Sequence, residues 1–173
     1  DFNIKNIIFS SSATVYGDPV ILPLKESMST GVPTNPYGMS KLIIENILND
    51  IYEADNSRNI TKLRYFNPVG AHSSGLIGED PRGVPNNLMP FICQTASGKR
   101  KELKIFGADY DTADGYAIRD FIHVRDLAEI HYKISKLVLS KRVFFKLNCG
   151  YGFGFSVLEI LNTNSFIKRV DWS

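Results

Sequence analysis

Tyr37 and Lys41 stand four residues apart in the stretch Pro36-Tyr37-Gly38-Met39-Ser40-Lys41. On a helix that spacing makes the two side chains neighbours on one face. A fixed ammonium beside a phenol favours the phenolate, which is how a tyrosine becomes a general acid/base near neutral pH. The same spacing also suits a phenol that caps the core while the lysine snorkels past it. Hydroxyls form the second group. Ser10-Ser11-Ser12-Ala13-Thr14 follows the apolar run Ile7-Ile8-Phe9. Ligands of open parallel sheets sit beyond the carboxyl ends of the strands, so Ser12 and Thr14 can meet a substrate there, although serines also simply end strands.

These groups need elements to carry them. The run Ile7 to Phe9 suits a strand buried on both faces of a parallel sheet. Tyr37, Lys41, Ile44, Leu48 and Ile51 share one helical stripe, which predicts a helix from Tyr37 to about Tyr52 with that stripe turned to the core. Ile60 to Phe66 reads as the next strand, with Asn67-Pro68 at its end. Strand, helix and strand in this order make a parallel unit with a right-handed crossover. Ser12, Tyr37, Lys41 and Asn67 then converge on one edge.

Further along, Asn87 to Ser97 reads as a helix closed by Gly98, with Pro90 permitted in its first turn. Ile105-Phe106 reads as a short strand, and Ile118 to Val124 alternates like one strand. Asp126 is expected to cap a helix from Leu127 to about Leu139. Phe144 to Leu147 reads as a strand, and Ser156-Val157-Leu158-Glu159 as a capping box that opens a last helix. The stretches 17–36, 70–83 and 109–115 are loops.

Composition narrows the function classes. With 43% hydrophobic and 22% charged residues and a net charge of +2, the chain is globular, without the electrostatics of a nucleic-acid or membrane binder. Lys99-Arg100-Lys101, with Lys104 and the intervening Glu102, reads as a solvated turn. There is no 18-residue apolar run and no signal-peptide pattern, so a cytoplasmic location is expected. Cys93 and Cys149 are expected to be buried free thiols, and no histidine or carboxylate pair has metal-ligand spacing. His123 reads as a satisfied histidine in a packed strand. Gly150-Tyr151-Gly152-Phe153-Gly154 lacks both the lysine of a P-loop and the dinucleotide fingerprint, and reads as a flexible turn.

Several longer stretches carry a resemblance. They are Phe9 to Asp18, Asn35-Pro36-Tyr37-Gly38, Arg64 to His72, Gly78-Glu79-Asp80-Pro81, Pro85 to Pro90 and Arg119 to Val124. Over residues 5 to about 161 the chain resembles the extended short-chain dehydrogenase/reductases, and within them the UDP-hexose 4-epimerase branch. The resemblance implies an α/β fold: the second half of a Rossmann-type parallel sheet with a small α/β substrate-binding lobe. Residues 1–70 and 119–150 would belong to the NAD-binding domain, 71–118 to the lobe, and 151–173 to the start of a C-terminal substrate region.

The implied activity is the interconversion of UDP-glucose and UDP-galactose on tightly bound NAD, in a homodimer when complete. Ser12, Tyr37 and Lys41 would be the catalytic set, with Tyr37 taking the 4-hydroxyl proton while hydride leaves sugar C4 for the nicotinamide. Ser12, Tyr37, Lys41 and Tyr65 would touch the cofactor. Ser12, Ala13, Thr14, Asn67, Asn86, Asn87 and Leu88 would contact the sugar nucleotide, Lys104, Ile105 and Phe106 would border the uracil, and Arg119 would pair with the diphosphate.

Two departures from the family pattern bear on this. The glycine fingerprint for the NAD pyrophosphate does not occur in the 173 residues, and the chain stops before the segment that closes the uridine site. The chain therefore reads as one entered midway, with an inactive fragment or nucleotide-sugar binding module as the alternative, and the 173 residues alone are not expected to bind NAD tightly. A dehydratase or decarboxylase is the rival within the superfamily. Dehydratases of this kind place an Asp-Glu pair after the strand-end hydroxyl, where this chain has Ala13-Thr14.

Overall fold

In the computed structural model, which describes residues 4–163, the first apolar run becomes strand β1, Asn6–Ser12. Helix α1, Pro36–Ala54, starts where Asn35 accepts a hydrogen bond from the Gly38 amide (2.8 Å) and Pro36 fills a first-turn position that needs no N–H. Strand β2, Asn59–Tyr65, returns parallel to β1 in a register that pairs Asn6 with Asn59 and Ser12 with Tyr65. After β3, Asn67–Val69, come α2, Leu88–Ala96, then β4, Ile118–Arg119, and β5, Phe121–His123. Helix α3, Val124–Ser140, leads to β6, Phe144–Cys149, and the described chain ends with β7, Phe155–Ser156, and α4, Val157–Thr163. Strands β1, β2 and β6 form a parallel sheet in that order, β3 pairs with β5 in parallel, and β4 pairs with β7 antiparallel. The expected α/β parallel architecture is what forms.

The two faces of the main sheet are held by different chemistry. On one, Leu63, Ile122, Leu127, Ile134, Val138, Val143 and Cys149 form an apolar cluster with Ile8 and Tyr65, so α3 is fixed by burial. The α1 face carries charge. Lys62 and Arg64 of β2 and Glu45 of α1 are all buried, and Leu48 is the large apolar side chain of α1 that is buried with them. A second apolar cluster of Ile92, Leu103 and Leu161 joins α2 to α4.

Several expectations need correction. The inward row of α1 is Gly38, Glu45 and Leu48: of the expected stripe Leu48 is buried and Lys41 and Ile51 are half-buried, whereas Tyr37 and Ile44 lie exposed beside Ile43 and Ile47. The helix turns this way because its partner strand offers Arg64, for which a carboxylate is the complement. Ile105-Phe106 forms no strand: Leu103 and Ile105 pack into the second cluster, so burial rather than a ladder holds the segment. The run from Ile118 is broken at Asp120. Its carbonyl accepts from the Asn67 amide (3.0 Å) and its carboxylate from the amides of Tyr151 (3.0 Å) and Gly152 (2.8 Å), so pairing passes from β7 to β3 across it.

That clasp also makes the Gly150 turn an anchored one, in which a Cβ on Gly150 would meet Asp120 Oδ2 at 2.5 Å. The cap of α3 is His123, whose Nδ1 accepts from the Arg125 amide (3.1 Å), while Asp126 lies in the first turn. Cys149 is buried as expected, but Cys93 is exposed because Ile92 and Thr95 set the inward side of α2. Residues 164–173, in the expected C-terminal segment, lie outside the described residues. Among the described residues no helix is long and apolar enough to cross a membrane.

Candidate functional site

The carboxyl end of the sheet gathers the first group. Ser12 and Tyr65 face each other in register, and Tyr65 in turn pairs with Cys149, so all three share one rung. Ser12 Oγ caps the short 3-10 turn Ala13–Tyr16, accepting from the Thr14 amide (3.2 Å) and from Thr14 Oγ1 (2.9 Å). The first turn of α1 lies directly against Thr14: a Cβ on Gly38 would come within 3.1 Å of Thr14 Oγ1 and 2.8 Å of Pro33 Cβ. Gly38 is thus what lets the tyrosine end of α1 approach the strand-end hydroxyls. Gly38→Ala is expected to lower stability by about 1 kcal/mol or more despite the better helix propensity of alanine, because the extra methyl overpacks this contact. Urea denaturation against the parent checks it.

Lys41 is half-buried, and its Nζ donates to the Ser10 carbonyl (2.9 Å) while lying 5.2 Å from the ring centre of Phe9 and 5.4 Å from that of Tyr37. The ammonium is thereby held beside the phenol by the strand itself. Tyr37 is 56% exposed, and its hydroxyl has no hydrogen-bond partner among the described residues. A hydroxyl left free on a surface lined with other hydroxyls can exchange a proton with a bound alcohol.

Tyr65 is placed differently. Its hydroxyl meets Ser10 Oγ (2.7 Å) and His131 Nε2. Burial pushes its pKa up, with Cys149 and Tyr37 adding to the rise and the Ser10 hydrogen bond opposing it, so this phenol stays protonated. Burial and the Glu26 charge likewise push the Cys149 thiol up to about 11, which makes it an inert neighbour. Sequence reasoning missed His131, although it stands at helical spacing with the inward Leu127, Ile134 and Val138 of α3.

The second group lines a cavity of about 780 Å³. Asn86, Asn87, Leu88, Lys104, Ile105 and Phe106 are all on its wall, with Phe91 and Val157. Asn87 starts α2 without spending its side chain on the cap, so the amide is available to a ligand. The turn Lys99-Arg100-Lys101 lines the same cavity and is not simply solvated: Arg100 Nε donates to Gln94 Oε1 (2.7 Å) and its guanidinium stacks 4.6 Å from the Phe91 ring centre. Behind Val157, the Ser156 amide donates to Glu159 Oε2 (2.7 Å) and Ser156 Oγ accepts from the Glu159 amide (3.0 Å), the expected capping box. Ser156 Oγ also donates to Asp114 Oδ2, and that hydrogen bond, with others from Tyr116 and Thr112, holds the Asp114 carboxyl below the usual range.

Neither Asn67 nor Arg119 is on the wall of that cavity. Asn67 is exposed on β3, and Arg119 on β4 turns its Nη1 onto the Ile118 carbonyl (2.8 Å). Among the described residues no group of histidine, cysteine or carboxylate side chains is arranged to hold a metal ion.

Comparison with known proteins bears on what this arrangement is for. The profile of the NAD dependent epimerase/dehydratase family matches residues 1–150. The chain is 56% identical over 158 residues to the UDP-glucose 4-epimerase of Yersinia pestis, covering 91% of this chain and 47% of that protein. It is 53% identical over 160 residues to that of Bacillus subtilis (strain 168), covering 92% and 47%. Among solved structures, the UDP-glucose 4-epimerase of Bifidobacterium longum in complex with NAD+ and UDP matches with a TM-score of 0.88 at 54% identity, over 92% of this chain and 48% of that one. The one from Stenotrophomonas maltophila with bound NAD and formylated UDP-arabinopyranose matches with a TM-score of 0.90 at 45% identity, over 96% and 50%. The chain spans about half the length of the curated relatives it matches.

Proposed function

The chain belongs to the NAD dependent epimerase/dehydratase family, and on that premise we propose that it carries the proton-transfer machinery for the reversible interconversion of UDP-glucose and UDP-galactose. The observation behind this reading is the free, exposed Tyr37 phenol held beside the Lys41 ammonium at the end of the sheet where Ser12 and Thr14 present hydroxyls.

Tyr37, as the phenolate, accepts the proton of the sugar's 4-hydroxyl to become the phenol, and later gives that proton back. Ser12 hydrogen-bonds the same oxygen and keeps it aligned. Lys41 holds positive charge beside the Tyr37 side chain, which stabilises the phenolate that takes the proton and that re-forms when the proton is returned. When bound, NAD supplies the hydride acceptor for sugar C4. The donors present suit its nicotinamide ribose: Lys41 Nζ has donors beyond the one given to the Ser10 carbonyl, the Tyr37 hydroxyl is unpartnered, and Tyr65 stands on the rung beside Ser12.

The cavity takes the uridine end of the substrate. Leu88 and Phe106 supply apolar walls, with Lys104 and Ile105 beside them, while Asn86 and Asn87 supply amides. Asn67 meets the sugar nucleotide, and the planar fork of Arg119 suits bidentate contact with the diphosphate. Residues 1–70 and 119–150 then form the later part of the NAD-binding domain, 71–118 the substrate lobe, and 151–173 the start of a C-terminal substrate region. The same reading makes the protein a cytoplasmic homodimer.

The rival chemistry within the family is dehydration, which needs an acid and a base beyond Tyr37. The position after Ser12 offers the Ala13 methyl, and Thr14 already donates its hydroxyl to Ser12. Incubating the full-length protein with UDP-galactose and NAD is therefore expected to yield UDP-glucose at unchanged mass. Mass spectrometry showing loss of water from the sugar would overturn the epimerase reading.

A further inference from the structure

We propose that the buried pair of Glu45 and Arg64 is the positioning element of the site, fixing how α1 is rotated on the sheet and hence where Tyr37 and Lys41 stand against the strand-end hydroxyls. The inference rests on the epimerase reading, in which Tyr37 carries the proton.

The placement of the carboxylate carries the argument. Glu45 is one helical turn beyond Lys41 and two beyond Tyr37 on the same helix. Its Oε1 accepts from Ser11 Oγ (2.6 Å) and Arg64 Nε (2.9 Å), and its Oε2 accepts from Arg64 Nη2 (2.6 Å). A single side chain of α1 is thereby tied to two strands at once, at one rung, because Ser11 and Arg64 are register partners. Ser11 lies between Ser10, whose carbonyl holds Lys41, and Ser12. Arg64 extends the network further: its guanidinium lies 4.7 Å from the ring centre of Tyr16, which ends the 3-10 turn carrying Ala13 and Thr14, and the Tyr16 hydroxyl donates to Asn148 Oδ1 (2.8 Å) on β6. The carboxylate therefore sets the distance between the helix that bears the acid/base and the two segments that bear the hydroxyls.

The other ties of α1 hold its two ends: Lys41 Nζ donates to the Ser10 carbonyl (2.9 Å) near the start, and the Tyr52 ring stacks on Phe144 of β6 (4.0 Å between centres) in the last turns. Ile43, Ile44 and Ile47 of α1 are exposed, and the large apolar side chain it buries, Leu48, lies beyond Glu45 along the helix. Lys62, on the same face, donates to Asn49 Oδ1 one turn beyond Glu45 and so secures the later part of the helix. Apolar contacts tolerate sliding and rotation, whereas a two-point carboxylate–guanidinium contact is satisfied in one geometry. Arg64 Nη1 is buried without a hydrogen-bond partner, so the guanidinium depends on Glu45. Pairs of this kind contribute to a unique arrangement more than to net stability, since apolar replacements of both partners are often as stable.

The test uses the full-length protein and two variants, Glu45→Gln and the double replacement Glu45→Met with Arg64→Met, with Tyr37→Phe as reference. Melting temperature, NAD released per subunit on denaturation, and KM and kcat for UDP-galactose are read for each. The double variant is expected to melt close to the parent, retain NAD and keep its KM, yet lose about 10- to 100-fold in kcat, the cost of a displaced acid/base. Glu45→Gln is expected to lose kcat similarly while melting lower. A double variant that turns over at the parent rate, or whose NAD content and melting fall together with kcat, would overturn the proposal by making the pair a structural feature only. If the parent does not epimerise, or Tyr37→Phe is as active as the parent, the epimerase reading itself fails, and that result is distinct from an active parent, an inactive Tyr37→Phe and unaffected Glu45 variants.

Discussion

Tyr37→Phe in the full-length protein is expected to lower turnover of UDP-galactose by about 100-fold or more, the range a positioned acid/base contributes. Melting temperature should stay at the parent value, and most NAD should remain bound because the Lys41 donors to its ribose are kept. The expectation follows from what the hydroxyl touches. It is exposed and has no hydrogen-bond partner within the described chain, so its removal leaves no buried group unsatisfied and opens no cavity. What is lost is the proton carrier. Tyr65, the other phenol nearby, cannot replace it: its hydroxyl is engaged by Ser10 and His131, and burial keeps it protonated. Steady-state kinetics with UDP-galactose provides the measurement. A variant within a few-fold of the parent would leave Tyr37 as an exposed surface phenol with no part in the proton transfer.

The placement of Tyr37 could be read from sequence because the signals are local. An apolar run ending in serines, a four-residue spacing and a second apolar run are enough to order β1, α1 and β2 and to bring Ser12, Tyr37, Lys41 and Tyr65 to one end of a parallel sheet. The rotation of α1 could not be read, since periodicity counts apolar residues and the inward row is set by Glu45, whose partner lies 19 residues away on β2. The break at Asp120 was hidden for the same reason. Its carboxylate serves amides 31 and 32 residues further on, so the run from Ile118 to Val124 looks continuous until the Gly150 turn is folded against it. The cavity residues Asn86 to Leu88 and Lys104 to Phe106 came from family resemblance, since nothing in their spacing brings two loop segments together; α2, α4 and the cluster around Leu103 do that.

The charged layer under α1 makes a second large effect testable. Arg64→Met alone is expected to destabilise the protein by about 3–5 kcal/mol at pH 7, because it leaves the Glu45 carboxylate buried without its partner. The pH dependence follows from the forces on Glu45. Burial by itself raises its pKa, but hydrogen bonds from Arg64 and Ser11 and the charges of Arg64 and Lys62 outweigh this and hold it below the ordinary value. A carboxyl depressed in the folded state contributes stability that is present above its unfolded pKa and is lost as pH falls through the folded value. The parent should therefore lose this contribution on acidification. In Arg64→Met the largest lowering influences are gone and desolvation gains weight, so Glu45 takes up its proton at higher pH in the folded state and the penalty of the buried charge is relieved as pH falls. The gap between parent and variant should be widest near neutrality and narrow on acidification through about pH 4.5, the ordinary value for the carboxyl. Urea denaturation at pH 7 and at successively lower pH provides the check; a gap below about 1 kcal/mol at pH 7, or one that widens with acid, would show that Arg64 does not hold the Glu45 charge.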